Sequence, residues 1–345
     1  FRLRVTFDGE EIIDLEPVFG YLHRGTEKLA ETRNYTQIVT LTDRMDYVAS
    51  MSNNLAYVRT VEDLSGIEVP ERAQYIRVIC AELQRIASHL MATGFLLNDI
   101  GALATPLIYC FREREKILDL FEMLCGARIT LSYMRPGGVF QDADQDFWNA
   151  LDILIQELPH YLDELETLIS KNEIVLARTR SVGVLSDEDA IDYGVTGPIL
   201  RASRVKWDLR KANPYEIYDR IDFEVPIGVE GDTYDRFHVR LLEMQESVKI
   251  ITQCITQIEK GSIRADVPYF IRPKPGETYQ SVEGPKGELG FYLISDGGVS
   301  PYRCKVRAPS FINLTPLKKM MLGWKMGDLI TILGSIDIVL GEVDR

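Results

Sequence analysis

The residues best suited to chemistry lie in one stretch, 18 to 60, which contains Gly20-Tyr21-Leu22-His23-Arg24-Gly25 and Arg44-Met45-Asp46-Tyr47. It mixes charge, aromatic rings and amides too densely for a solvated helix face, so most of these groups need partners from protein or ligand. Tyr47 offers a phenol of ordinary pKa ~10, a neutral donor that can hydrogen-bond a carbonyl without placing a charge beside it. Its plain alternative is an aromatic packed in a core. Arg44 offers a permanent cation three residues earlier, unless a salt bridge to Asp43 or Glu27 absorbs it. Asp99, in Leu97-Asn98-Asp99-Ile100-Gly101, can orient an imidazole and stabilise its charged form, or simply cap the helix that follows.

Other chemistries find no support. The four histidines, His23, His89, His160 and His238, are scattered without HExxH spacing, which argues against a metal site. His89 reads as a hydrogen-bonded bundle residue. No GxGxxG or GxxxxGK[ST] is present, so no common nucleotide pocket is expected. Five cysteines stand singly at 80, 110, 125, 254 and 304 without a CxxC, a set that fits buried thiols in a reducing compartment. The net charge of −13 disfavours nucleic acid and anionic lipid as partners.

The elements that must position these groups read as helices with small hairpins. Phe1 to Asp8 alternates in polarity and turns at Asp8-Gly9 into Glu11 to Glu16, a hairpin ended by Pro17 and entered partway, as if the N-terminus were trimmed. Thr26 to Arg33 is a short helix, and Thr42-Asp43 is suited to cap another that carries Arg44 and Tyr47 in its first turn. From Pro70, Ile76, Ile79, Leu83, Ile86 and Leu90 make one stripe of a long helix interrupted at Gly94 to Gly101. Pro106 opens the next helix, Leu151 to Ile169 gives a third despite Pro159, and Phe237 to Ile258 a fourth. Four helices with one apolar face each must pack together. Ser181 to Val225 is irregular, and a Pro-rich stretch follows Gly261. A second hairpin, Leu289 to Ile294 with Tyr302 to Arg307, and a helix from Met326 to Leu333 close the chain. The class is α+β, mainly α. The expected layout is one domain over 1–345, with a hairpin at 1–17, a helical core at 42–260 and a hairpin and tail at 286–345. The most apolar segments are too short for a span of ~20 residues.

The ordered motifs go further. Gly20-Tyr21-Leu22-His23-Arg24-Gly25-x-Glu27-Lys28, Arg44-Met45-Asp46-Tyr47, Phe111-Arg112-Glu113-Arg114-Glu115, Leu200-Arg201-Ala202-Ser203, Gly287-Glu288-Leu289-Gly290, Arg307-Ala308-Pro309-Ser310-Phe311 and the ending from Gly334-Ser335-Ile336-Asp337 closely resemble the D-subunit family of proton-pumping NADH:quinone oxidoreductase, respiratory complex I. That family is related to the large subunit of nickel-iron hydrogenases, whose metal is held by two CxxC pairs that this chain lacks. The resemblance therefore implies a hydrogenase-like helical bundle without a metal of its own. It also makes the connection from 261 to 285 shorter than the family pattern.

The resemblance implies a role for each candidate. Tyr47 would bind the quinone headgroup, and Asp99 would pair with a histidine on a loop that precedes Phe1. Arg44, with Arg24 in the same group, would lie beside the terminal 4Fe-4S cluster of a partner subunit. Thr130 stands where many members carry a cluster-bonding histidine. A hydroxyl does not titrate, so a low and nearly pH-independent cluster potential is expected, with menaquinone or plastoquinone as the acceptor. NADH and FMN would bind other subunits. Partners would be the iron–sulfur subunit, other peripheral-arm subunits and a membrane-arm subunit at the quinone entrance, on the cytoplasmic, matrix or stromal face of an energy-transducing membrane. The rival readings are a metal-free scaffold, and the matching subunit of a ferredoxin- or deazaflavin-fed relative.

Overall fold

The computed structural model describes residues 1–101 and 104–345. The architecture is α+β and mainly α, with long helices in the body and small antiparallel sheets near the N-terminus and in the C-terminal part. Strands Arg2–Asp8 (β1) and Glu11–Val18 (β2) form the first hairpin. Pro17 does not end it. It pairs opposite Leu3 in a two-stranded ribbon, where both strands are edges and a missing N–H is tolerated.

Helix Tyr35–Thr42 (α1) opens with a reciprocal cap between Asn34 and Gln37. The helix expected to begin at Thr42 is absent: α1 ends there, residues 43–49 form a turn, and Ser50–Ser65 (α2) starts after it. The cause is where two carboxylates go. Asp43 accepts from the backbone N–H (3.2 Å) and hydroxyl (2.6 Å) of Ser132, while Asp46 accepts from the N–H groups of Val48 and Ala49. Both satisfy contacts other than a helix cap at Thr42.

Glu71–Asp99 (α3) lies centrally against Ala104–Cys125 (α4) and Thr233–Gln257 (α6), and Gln145–Ser170 (α5) packs on α4 and α6. Gly94 does not interrupt α3. A Cβ there would lie 3.1 Å from Cys110 Cβ and Leu107 Cδ1, so the glycine lets α4 approach closely, which offsets its ~1 kcal/mol propensity cost. The single apolar stripe also understates α3, because neighbours surround it and bury Arg77, Glu82, Arg85 and His89. The charges persist because each is paired, Arg77 with Glu62 and Glu216 and Glu82 with Arg85 and Arg210, while the neutral His89 ring is hydrogen-bonded to Glu243. His89 is thus a bonded bundle residue, and burial holds its pKa down at about 4.

The Pro-rich stretch hides a strand. Gly276–Gly284 (β3), Gly287–Ser295 (β4) and Arg303–Arg307 (β5) form a three-stranded sheet, where the sequence indicated only the last two. Gly284 pairs with Gly287, leaving Pro285 and Lys286 as a two-residue turn. Met326–Ile336 (α7) packs against α3 and α6, and a last helical turn, Leu340–Asp344, ends the chain. One core fills the bundle and sheet; a second gathers Ile12, Leu15, Leu185, Leu314 and Ile332 between β2 and α7. No helix among the described residues is long and apolar enough to cross a membrane.

Candidate functional site

Tyr47 stands on the 43–49 turn, whose shape is set by Asp46. One Asp46 oxygen holds the N–H groups of Val48 and Ala49, and the other meets Lys286 Nζ at 3.0 Å. Gln84 of α3 adds a 2.6 Å bond to the Val48 carbonyl. With both flanks pinned, the phenol projects outward and is 47% exposed, not packed in a core.

Asp99 is the last residue of α3, and residues 102–103, which lead into the helix it was expected to cap, lie outside the described residues. A carboxylate in a last turn faces the negative end of the helix dipole, a cost of roughly 0.3–1 kcal/mol. Among the described residues no cation forms a salt bridge with it to offset that cost. Tyr47 and Asp99 nevertheless share one cavity, of about 310 Å³. Its walls are mostly apolar, including Val48, Met91, Phe95, Leu96 and Leu333, and the polar groups converging on it are Tyr47, Asp99 and Asp337. Apolar walls with a few converging polar groups are the ordinary makeup of a small-molecule pocket.

Arg44 is exposed and forms no salt bridge among the described residues. Its guanidinium donates to the Thr40 carbonyl at 2.6 Å, while Glu27 is taken by Lys305 and Arg303. Arg24 does belong with it: Arg24 Nη2 donates to the Arg44 carbonyl (2.6 Å) and the Gly341 carbonyl (3.2 Å). The motif around Arg24 thereby clamps the chain's end. Asp344 accepts from the N–H groups of Gly20 and Leu22, and His23 Nδ1 meets the Asp344 carbonyl at 2.7 Å. Thr130 is half-buried at φ 56°, unusual for a β-branched residue, with its hydroxyl bonded to the Ile129 carbonyl. The Asp43–Ser132 contact ties its loop to the turn that carries Arg44 and Tyr47.

The sequence family described as "Respiratory-chain NADH dehydrogenase, 49 Kd subunit" matches residues 99–275 and 267–345. A protein of Dehalococcoides mccartyi, named as the D subunit of NADH-quinone oxidoreductase, is 58% identical over 345 residues, covering all of this chain and 94% of its own length. The chain belongs to this D-subunit family. Relatives of the same name from Roseiflexus (55% identical) and Clostridium beijerinckii (50%) likewise match all of the chain and 94% and 93% of their own lengths. As a member, it is a peripheral-arm subunit of complex I and takes part in NADH:quinone oxidoreduction as one piece of that assembly. Its partners are therefore other subunits. The two family matches overlap at 267–275, inside the connection from 261 to 285.

Sequence reasoning passed over Asp337, Lys286 and Glu342. The signal for Asp337 was an acid inside the otherwise apolar run Leu329 to Gly341. Lys286 carried none, since Gly-Pro-Lys-Gly reads as a solvent-facing turn.

Proposed function

We propose that the Tyr47–Asp99 cavity holds the quinone headgroup, and that the iron–sulfur subunit closes its open side. The observation that carries this reading is the convergence of a neutral phenol donor and an uncompensated carboxylate on one apolar cavity. Tyr47 donates to a quinone carbonyl, and the bond strengthens as the oxygen becomes basic on reduction. Asp99 orients and charges an imidazole supplied from outside the described chain, which accounts for a carboxylate left at a helix C-terminus. Arg44, whose guanidinium donates to the Thr40 carbonyl and forms no salt bridge among the described residues, supplies positive charge toward the terminal 4Fe-4S cluster of the partner, with Arg24 fixing the backbone behind it. A membrane-arm subunit at the quinone entrance, and a position on the cytoplasmic, matrix or stromal membrane face, complete the reading.

Tyr47→Phe removes one hydroxyl from a half-exposed position, so assembly and NADH-driven cluster reduction should be unchanged. Quinone reduction should fall about tenfold or more, the loss of one hydrogen bond that strengthens in the transition state. Unaltered turnover with several quinone analogues would refute the assignment.

Thr130 bears on which quinone is used. A hydroxyl cannot gain a proton when the cluster is reduced, so the cluster potential should be low and almost independent of pH, matching menaquinone or plastoquinone. An EPR redox titration should return a flat line against pH. Thr130→His should restore a slope, and a steady fall with pH in the unmodified complex would contradict the reading.

A further inference from the structure

The turn between β3 and β4 does something unusual for a hairpin tip. Two-residue turns are normally the most solvent-exposed part of a sheet, yet Lys286 is 2% exposed. Gly287 allows this: at φ +132° its Cα faces Thr196, and a Cβ there would lie 2.5 Å from Thr196 Oγ1, so the tip is driven into the protein. Lys286 Nζ meets Asp46 Oδ2 at 3.0 Å, Ser88 Oγ at 3.1 Å and Asp337 Oδ2 at 3.8 Å. Glu342, fully buried, accepts from the Ser310 N–H at 3.0 Å and acts electrostatically on Lys286 and Asp46.

The charges in this group do not balance. Three carboxylates, Asp46, Asp337 and Glu342, face two cations, Lys286 and, from α6, Arg240, whose charge also acts on Asp337. One negative charge remains, buried and adjacent to the cavity, and a single proton cancels it. The geometry shows where such a proton can sit. Asp337 Oδ2 is buried, 3.8 Å from Lys286 Nζ and otherwise without a hydrogen-bond partner, so a charged carboxylate there is incompletely satisfied and a proton on this side chain relieves it. The same side chain keeps 14% of its surface open and lines the cavity with Tyr47 and Asp99. Asp337 also adopts φ 60°, a left-handed conformation at the end of α7 that turns its carboxyl inward.

We infer that Asp46, Lys286, Asp337 and Glu342 form a buried proton reserve for the quinone site, with Asp337 as its outlet to the cavity. The inference rests on the cavity being the quinone pocket. Reduction of one quinone takes two electrons, delivered from NADH through the other subunits, and two protons. One proton comes from the Tyr47 and Asp99 side. For the other, the O–H bond of Asp337 breaks as an O–H forms on the second quinone oxygen; the buried group then carries one excess negative charge until a solvent proton refills it. Burial raises the Asp337 pKa against the pull of Lys286 and Arg240, and burial together with Asp46 pushes Glu342 up to about 7, so the reserve is held at neutral pH.

The test is the pH profile of quinone reduction by the assembled complex with a short-chain naphthoquinone, beside NADH oxidation by a water-soluble acceptor that bypasses the site. The unmodified enzyme should lose rate as pH rises past about 7 and the reserve empties. Asp337→Asn should lower kcat about tenfold at pH 7 with KM within about twofold, and abolish that alkaline limb. Asp337→Glu should restore most of the rate. Should Asp337→Asn fail to assemble, Glu342→Gln, whose amide oxygen can still accept from Ser310, should displace the limb by about one pH unit or more. Unmodified kcat and limb in an assembled Asp337→Asn enzyme, or an unmoved limb in Glu342→Gln, overturns the inference. If Tyr47→Phe impairs turnover while these variants do not, the pocket stands and the reserve falls. If Tyr47→Phe has no effect, the pocket reading itself has failed.

Discussion

Glu82→Ala should destabilise the chain by about 3–5 kcal/mol, lowering its melting temperature by on the order of 10 °C. Glu82 is fully buried in α3 and receives Arg210 Nη1 at 3.0 and 3.1 Å, Arg85 Nε at 3.1 Å, and the hydroxyls of Tyr218 and Ser247 at 2.6 Å each. Burial alone would push its pKa up, but Arg85 and Arg210 outweigh it and hold the carboxylate down at about 2. A carboxylate with a lowered pKa contributes stability above its unfolded value of ~4.3, and that stability is lost as pH falls through the folded value. The unmodified chain should therefore lose this contribution between about pH 4 and 2, and the Glu82→Ala chain should show a shallower loss in that window. Removing Glu82 leaves Arg85 without a salt-bridge partner among the described residues and Arg210 with Asp208 alone, which is why the cost exceeds that of a surface pair. Calorimetry of the full chain at pH 7 and pH 3 checks both parts. A melting temperature within 2–3 °C of the unmodified chain at pH 7, a shift of about 1 kcal/mol, would show that the network is dispensable.

Filling the cavity should be the most damaging change to activity that spares the fold. Gly334 lies on α7, where an added Cβ would meet Leu96 Cδ1 at 3.5 Å and Asp99 Oδ2 at 3.8 Å, ordinary contact distances. Gly334→Ala therefore fits, and it should stabilise the helix by about 0.5–1 kcal/mol while leaving turnover near normal. Gly334→Phe places a ring in the space between Leu96 and Asp99 and should lower kcat/KM for quinone about a hundredfold, since a displaced headgroup loses its alignment with the donor groups. Reduction of the partner's cluster by NADH should persist. Normal quinone turnover in an assembled Gly334→Phe complex would mean that the substrate binds elsewhere.

Much of this was legible in the chain. Apolar residues at steps of three and four from Ile76 to Leu90 and from Phe237 to Ile258 foretold the long helices, because one buried face imposes that period whatever surrounds it. Local signals failed where a distant partner took over. Asp43 reads as a cap at Thr42 but is claimed by Ser132, so the helix expected under Arg44 and Tyr47 is a turn. Gly94 reads as a break but makes room for α4. The strand Gly276–Gly284 was hidden by its proline-rich flanks.

The site divides the same way. Residue types and ordered motifs were enough to single out Tyr47, Asp99, Arg44 and Arg24 and to indicate the family, because hydrogen-bonding capacity and charge belong to the side chain itself. Folding alone decided that Tyr47 and Asp99 would face one cavity, that Arg24 would hold the backbone behind Arg44, and that Lys286 at a hairpin tip would be buried among three carboxylates. Solvent exclusion and the proximity of charges are properties of packed elements far apart in the chain, and no local pattern of residues records them.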